Sequence, residues 1–132
     1  MVHDFKLFPE LTNRQMSLYY FESPHRQITD GFIATVVNVH DGDSIKLRWN
    51  ERNFDFPCRL RDILAPELDM PGGLESKEFL EKQILNQEVY ILIDPKDRVD
   101  KWGRILGRVI FRGMDLNTMS VDMGFSTAWG GP

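Results

Sequence analysis

The segment from Ile33 to Trp49 constrains the fold more than any other part of the sequence. Its first half, IATVVNVH, is rich in β-branched residues, and its second half, SIKLRW, alternates apolar and polar residues. A period of two is typical of a strand with one buried face. The dipeptide Asp41-Gly42 between the halves favours a hairpin turn. The segment therefore predicts a β-hairpin, on which an antiparallel sheet can be built.

The rest of the chain continues this pattern. A third strand is expected at residues 54–60, where apolar side chains alternate and leave Arg59 and Arg61 on the opposite face. The segment LESKEFLEKQIL has the spacing of an amphipathic helix. Two more strands, EVYILID and RILGRVIF, follow it, and a second helix is expected from Asp115 or Asn117 to Met123, ending at Gly124.

This order of elements indicates a mainly β fold with helices (α+β). Five short strands with a helix between the third and fourth predict a five-stranded OB-type β-barrel with two helices, whose mouth commonly binds oligonucleotides. We assign residues 31–132 to this domain and residues 1–30 to an N-terminal extension, with a possible short helix after Thr12. Residues 5–21 of the extension are expected to dock on the barrel, either within the chain or across a homodimer.

Composition excludes several classes of protein. A single cysteine, Cys58, cannot form an internal disulfide, and the three histidines have no zinc-ligand spacing. No apolar run approaches the roughly 20 residues that span a bilayer, and the N-terminus lacks the layout of a secretion signal. These observations predict a cytoplasmic protein with no membrane association.

The charge of the chain is unevenly distributed. The net charge is −4, which is unlike a protein that coats nucleic acid. Residues 96–112, which we call the basic segment, nevertheless carry six Lys and Arg residues against two Asp residues. The basic segment is compatible with binding a short stretch of phosphates, and equally with a solvated loop and strand face.

Three polar motifs lie on this frame: HDGDSIKL at 40–47, RLRDILAPE at 59–67 and DKWGRILG at 100–107. Together, and in this order, they resemble the hallmarks of the staphylococcal nuclease family, also called thermonucleases, over residues 33–128. The family has an OB-type barrel, in agreement with the strand count. The resemblance implies a metal-dependent, sequence-nonspecific endonuclease that hydrolyses DNA or RNA, with a preference for single strands.

The resemblance also implies roles for individual residues. Glu67 corresponds to the general base, and Arg59 and Arg104 correspond to two arginines that bind the phosphate. Asp43 corresponds to a carboxylate ligand of Ca²⁺, with the backbone carbonyl of Ala65 near the same ion. Planar guanidinium groups suit this task because each can bind two phosphoryl oxygens.

Two further positions are assigned to the substrate. Trp102 falls where the family has an aromatic residue against the nucleotide, and Lys101 beside it is placed to contact a terminal phosphate. Because every base has an aromatic face, stacking on Trp102 predicts recognition without sequence preference.

One position departs from the family pattern. Leu64 stands where an acidic calcium ligand is usual, and a leucine side chain offers no oxygen. Asp62 is a candidate substitute because it would share the strand face of Leu64, and Asp41 is a candidate to support the same ion from beside Asp43.

Because Leu64 offers no metal ligand, the sequence is also compatible with functions other than catalysis. The main alternative is a catalytically impaired OB-fold module that binds single-stranded nucleic acid or a protein partner through the basic segment. A structural or assembly protein that uses the N-terminal aromatic residues is less favoured, because it leaves Asp43, Arg59, Glu67 and Arg104 unexplained.

Overall fold

A computed structural model describes residues 3–130. Residues 1–2 of the predicted extension and residues 131–132 of the predicted domain lie outside the described residues. The described elements are, in chain order, α1 (Asn13–Tyr19), a 3₁₀ turn (Tyr20–Glu22), β1 (Phe32–Asp41), β2 (Ser44–Arg48), β3 (Phe56–Leu60), β4 (Ile63–Leu64), α2 (Gly73–Ile84), β5 (Glu88–Leu92), β6 (Ile105–Phe111), β7 (Met114–Asp115), α3 (Leu116–Asp122) and β8 (Thr127–Ala128).

Five of these strands close into a barrel. Strand β1 pairs with β2 and β5, β2 pairs with β3, and β5 pairs with β6, all antiparallel. A parallel pairing of β3 with β6, in which Cys58 lies opposite Ile105, closes the ring. The predicted α+β fold with a five-stranded OB-type barrel is therefore confirmed. Strands β4, β7 and β8 are additions of two residues each that the sequence pattern did not indicate.

The predicted alternation of apolar residues fills the barrel. Ile45 and Leu47 of β2 and Leu60 of β3 are all at most 1% exposed. Each fully buried aliphatic side chain contributes about 1.5–3 kcal/mol of hydrophobic stabilisation. Cys58 is buried with them, and burial raises the pKa of its thiol to about 12. The thiol is therefore an inert part of the core.

The two predicted helices of the barrel domain both form. Helix α2 buries Phe79, Leu80 and Ile84, as its amphipathic pattern indicates. Helix α3 begins after Asp115, whose side chain accepts a hydrogen bond from the amide of Thr118 at 3.1 Å. Gly124 follows α3 with a φ of 82°, a conformation that glycine adopts without strain at a helix end.

The N-terminal segment packs on its own barrel. Glu10 is 2% exposed and pairs with the buried guanidinium groups of Arg52 and Arg98. Arg98 also donates to the carbonyls of Leu11 and Ile28, at 2.9 and 2.7 Å. The docking expected of this segment thus occurs within the chain, and the homodimer expected as an alternative finds no support here.

The basic segment is not a continuous positive surface. Arg98 is turned into the protein, as described above, and Arg108 forms ion pairs with Asp62 and Asp115 at 2.9 and 2.7 Å. The exposed cations of the segment are Lys96, Lys101 and Arg112. None of the helices in residues 3–130 is long and apolar enough to cross a membrane.

Candidate active site at the barrel rim

The turn between β1 and β2 holds a buried carboxylate. Asp41 pairs with Ser44, which leaves Gly42 and Asp43 as the two turn residues. Asp43 is 8% exposed, and its Oδ2 accepts a hydrogen bond from the amide of Ala65 at 2.9 Å. Its own amide donates to Oδ1 of Asp41 at 3.1 Å. The turn therefore places two carboxylates side by side, next to the segment that follows β4.

The environment of Asp43 disfavours its charge. Burial, the largest cause, together with the neighbouring Asp41 carboxylate, raises the pKa of Asp43 to about 6. The amide of Ala65 and the charge of Arg59 act in the opposite direction but do not compensate. Near neutral pH Asp43 is therefore mainly ionised, at a cost that a nearby positive group can offset.

Arg59 faces Asp43 from strand β3. Its Nη2 lies 3.3 Å from Oδ2 of Asp43 and donates to the carbonyl of Ile63 at 2.9 Å. Its Nη1 donates to the carbonyl of Leu60, and its guanidinium lies 5.6 Å from the ring centre of Trp129. Arg59 is only 7% exposed. Its donors are therefore largely engaged within the protein.

Arg104 presents a more open guanidinium. Its Nε donates to Oδ2 of Asp100 at 2.7 Å and its Nη1 to Oγ of Ser44 at 3.3 Å. Within residues 3–130 its Nη2 has no hydrogen-bond partner, and the side chain is 28% exposed. Ser44 also donates to Oδ1 of Asp43 at 3.4 Å, which connects the two charged groups. The structure thus brings Arg104 and Asp43 to one rim of the barrel.

Asp100 organises the loop that carries Arg104. Its Oδ1 accepts the amides of both Trp102 and Arg104 at 2.9 Å. Trp102 is 60% exposed, with Nζ of Lys101 at 4.5 Å and the guanidinium of Arg104 at 5.4 Å from its ring centre. The loop therefore combines an accessible aromatic ring with two cations, a combination suited to the bases and phosphates of a nucleic acid.

Glu67 lies on the surface of the protein. It follows Ala65 by two residues, and its carboxylate is exposed with no hydrogen bond or ion pair to any residue in 3–130. Its backbone carbonyl accepts from the amide of Met70, which fixes the chain before α2. A carboxylate that has no internal partner is available to accept a proton from solvent.

Comparison with known proteins decides the family. The family model described as staphylococcal nuclease homologue matches residues 57–130, more than half of the chain. The chain belongs to the staphylococcal nuclease family. The match includes the second and third motifs of the sequence and begins after the first. No curated protein matches the chain.

Within the staphylococcal nuclease family, this chain departs from the pattern at Leu64. The side chain is 44% exposed in β4, where Leu64 pairs with Thr127 of β8. The amide of Ala65 beside it donates to Asp43. The segment after β3 therefore binds the Asp43 carboxylate through a backbone amide, and Leu64 supplies no oxygen ligand. The role of the Ala65 carbonyl as a metal ligand, which the resemblance implied, stays a prediction.

The structure does not bring Asp62 to Asp43. Its carboxylate accepts a hydrogen bond from Nη1 of Arg108 at 2.9 Å and lies 3.7 Å from Nε of Arg61. The strand-face argument does not apply, because Asp62 has a φ of 65° in a turn between β3 and β4. A left-handed residue interrupts the alternation on which that argument depends.

The acidic groups fit a hard divalent cation only in part. Asp41 and Asp43 supply two adjacent carboxylates, the ligand type that Ca²⁺ prefers. No group of three His, Cys, Asp or Glu side chains in residues 3–130 is arranged to hold a metal ion. A Ca²⁺ ion at this turn would therefore depend on those two carboxylates, on the Ala65 carbonyl that the resemblance implied, and on water for its ligands.

Sequence reasoning missed three residues of this rim. Asp100 and Ser44, which hold Arg104, both lie inside the recognised motifs, so the motifs themselves carried the signal. Ser76 of α2 is fully buried, and its hydroxyl has no partner within residues 3–130. Its position against Gly42 depends on how α2 packs, which no local pattern shows.

Proposed function

We propose that the chain is a sequence-nonspecific, metal-assisted nuclease that hydrolyses phosphodiester bonds of DNA or RNA at this rim. The observation that carries the proposal is the open guanidinium of Arg104, held by Asp100 and connected through Ser44 to Asp43. A fixed guanidinium with a free donor, facing solvent, suits an oxyanion better than it suits a purely structural contact.

Arg104 binds a non-bridging phosphoryl oxygen through its free Nη2. Negative charge shifts among the phosphoryl oxygens during in-line displacement, so a preorganised donor stabilises the transition state. Arg59 is the second proposed phosphate-binding residue. Because it donates to Asp43 and to carbonyls in the free protein, it reaches a phosphate only by exchanging its contact with Asp43.

Glu67 is the proposed general base. Its carboxylate oxygen accepts a proton from the attacking water, and the leaving oxygen then takes up a proton from solvent. A positioned carboxylate base contributes on the order of 10²- to 10⁴-fold in rate. Its exposure and its lack of an internal partner within residues 3–130 support this assignment.

The proposed metal is Ca²⁺, bound by Asp43 with support from Asp41. When bound, it would neutralise charge on the phosphate. Because Leu64 supplies no oxygen, we expect weak affinity and activity only at high concentrations of Ca²⁺.

The direct test is cleavage of labelled DNA and RNA oligonucleotides with Ca²⁺ or with a chelator. Replacing the base, Glu67→Gln, is expected to lower the rate at least about 100-fold without loss of stability, because an amide cannot accept the proton. Glu75→Gln is the matched control, since Glu75 is an exposed carboxylate in the first turn of α2. Equal rates for the two variants would contradict the assignment of Glu67.

A binding module without catalysis is the second candidate function. Two observations favour it: the side chain at Leu64 offers no ligand, and the donors of Arg59 are engaged inside the protein. In that case single-stranded nucleic acid would bind through Trp102 and Lys101 but remain intact with every divalent metal tested. The same cleavage experiment, with binding measured in parallel, separates the two functions.

A further inference from the structure

A cavity lies between the N-terminal segment and the barrel, beside the Trp102 loop. Its volume is about 610 Å³, within the range of roughly 300–1,000 Å³ that is typical of ligand sites. We call it the extension cavity, because the N-terminal segment forms one wall and the barrel forms the other. Its walls include Phe5, Lys6 and Leu7 from the first and Phe54, Trp102 and Arg104 from the second.

The extension cavity shares two lining residues with a cavity at the candidate active site. A smaller cavity of about 190 Å³ contains Arg59 and Trp129, and Trp102 and Arg104 line both spaces. Phe8 of the N-terminal segment packs directly on the loop, so closely that a Cβ on Gly103 would lie 2.7 Å from its ring. A polynucleotide that contacts Trp102 is therefore next to both cavities.

The walls of the extension cavity suit a nucleotide base and its phosphate. The His25 ring lies edge-on to Phe54 with ring centres 5.0 Å apart, which forms an aromatic surface. Exposed Lys6 and the guanidinium of Arg104 provide positive charge. The acidic group in the lining, Asp55, is neutralised by two hydrogen bonds from Arg48, both 3.0 Å.

The wall from the N-terminal segment is held in place before any ligand binds. The side chain of Gln27 accepts the amide of Leu11 at 2.6 Å and donates to the carbonyl of Pro9 at 2.9 Å. Nε2 of His25 lies 2.7 Å from the same carbonyl, and Glu10 is paired with buried arginines. A preformed wall reduces the ordering cost of binding.

We propose that the extension cavity binds one unpaired nucleotide beside the one that is cleaved. The base lies against Phe54 and the phosphate lies toward Lys6 and Arg104. A base within a duplex is paired and stacked, so its faces are not available to this surface. The substrate class is therefore single-stranded nucleic acid. This inference rests on the proposed function, because the active site defines which nucleotide is the neighbour.

Binding of a labelled single-stranded oligonucleotide, measured by fluorescence anisotropy with a chelator present, tests the inference without cleavage. Lys6→Glu is expected to weaken binding by about fivefold or more. It is also expected to reduce the slope of the logarithm of affinity against the logarithm of salt concentration by about 1, which corresponds to one lost phosphate contact. Phe54→Leu is expected to weaken binding about fivefold, because it removes the aromatic face against which the base lies. The control is Lys82→Glu, an equal charge change at an exposed position of α2.

The outcomes distinguish failure of the extension cavity from failure of the proposed function. Equal affinities of Lys6→Glu and Lys82→Glu, in proteins with the same unfolding midpoint, would overturn the extension cavity and leave the proposed function standing. Equal affinity of the wild type for a duplex of the same length would also overturn it. Failure of the wild type to bind or cleave any nucleic acid at low salt would instead remove the proposed function, and this inference with it.

Discussion

At the scale of single residues, Asp43 is both the proposed metal ligand and a buried carboxyl group whose ionisation lowers the stability of the folded protein. Its pKa is about 6 in the folded protein against 3.8 for a free carboxyl. A group whose pKa is raised by folding stabilises the folded state only while it is protonated. Its contribution is therefore fully present below about pH 4 and is lost as pH rises through 6, by about 3 kcal/mol.

Asp43→Asn is expected to remove this dependence, because an amide does not ionise. Relative to the wild type, the variant should gain up to about 3 kcal/mol between pH 4 and pH 8 in the free energy of unfolding. Urea unfolding at several pH values, with a chelator present, measures the difference. A constant difference between variant and wild type across this range would contradict the raised pKa.

Single residues also show where sequence reasoning reaches its limit. The three motifs predicted that the hairpin turn and the Arg104 loop belong to one site, and the structure brings the two segments into contact through Arg104 and Ser44. The inward orientation of Arg59 and the turn at Asp62 were not predictable. Both depend on partners far along the chain, namely Asp43 for Arg59 and Arg108 for Asp62.

At the scale of secondary-structure elements, helix α2 contacts the hairpin turn and helps to position its residues. A Cβ on Gly42 would lie 1.8 Å from Oγ of Ser76 and 2.7 Å from Cβ of Ala65. The close approach requires a glycine, and it presses α2 against the turn that carries Asp43. The helix is therefore part of the structure that positions the carboxylate.

Gly42→Ala is expected to destabilise the protein by about 1–3 kcal/mol through overpacking. Ser76→Ala alone should be neutral or stabilising, because the hydroxyl is buried without a partner in residues 3–130. The double variant should lose less stability than the sum of the two single changes predicts, since the smaller side chain relieves part of the clash. Thermal unfolding of the three variants measures this coupling, and strict additivity would contradict the contact.

Sequence patterns predicted the strands and helices more completely than the contacts between distant residues. The five barrel strands and helices α2 and α3 follow from apolar periodicity, the Asp115 cap and Gly124, all of which are local signals. The two-residue strands β4 and β8 have too few residues to show a period. They form because Ile63 and Leu64 meet Ala128 and Thr127 in the folded chain.

At the scale of the whole molecule, a buried charge cluster joins the N-terminal segment to the barrel. Glu10 is the carboxylate that Arg52 and Arg98 share. Nε and Nη1 of Arg52 are buried and have no hydrogen-bond partner in residues 3–130. Burial lowers the pKa of both arginines, which reflects the cost of their charge. The single negative charge is thus essential to the cluster.

Glu10→Gln is expected to destabilise the protein by about 3–5 kcal/mol, because it leaves two buried cations without a counter-charge. The matched control is Glu22→Gln, at an exposed position of the 3₁₀ turn. Urea unfolding of both variants compares the effects. If Glu10→Gln were as stable as the control, the segment would not be anchored by this cluster, and the wall of the extension cavity would lose its support.

Arg104 allows the most direct measurement of the central claim, that this rim hydrolyses phosphodiester bonds. Cleavage and binding of one labelled single-stranded oligonucleotide should be measured together, at saturating Ca²⁺, for the wild type, Arg104→Lys and the exposed control Arg14→Lys. We predict cleavage by the wild type and the control, and a rate at least about 100-fold lower for Arg104→Lys. The single nitrogen of lysine cannot occupy both the position of Nε, which contacts Asp100, and the position of Nη2, which is proposed to bind the phosphate. Cleavage by Arg104→Lys at the wild-type rate would contradict the account, as would a wild type that binds the oligonucleotide and leaves it intact.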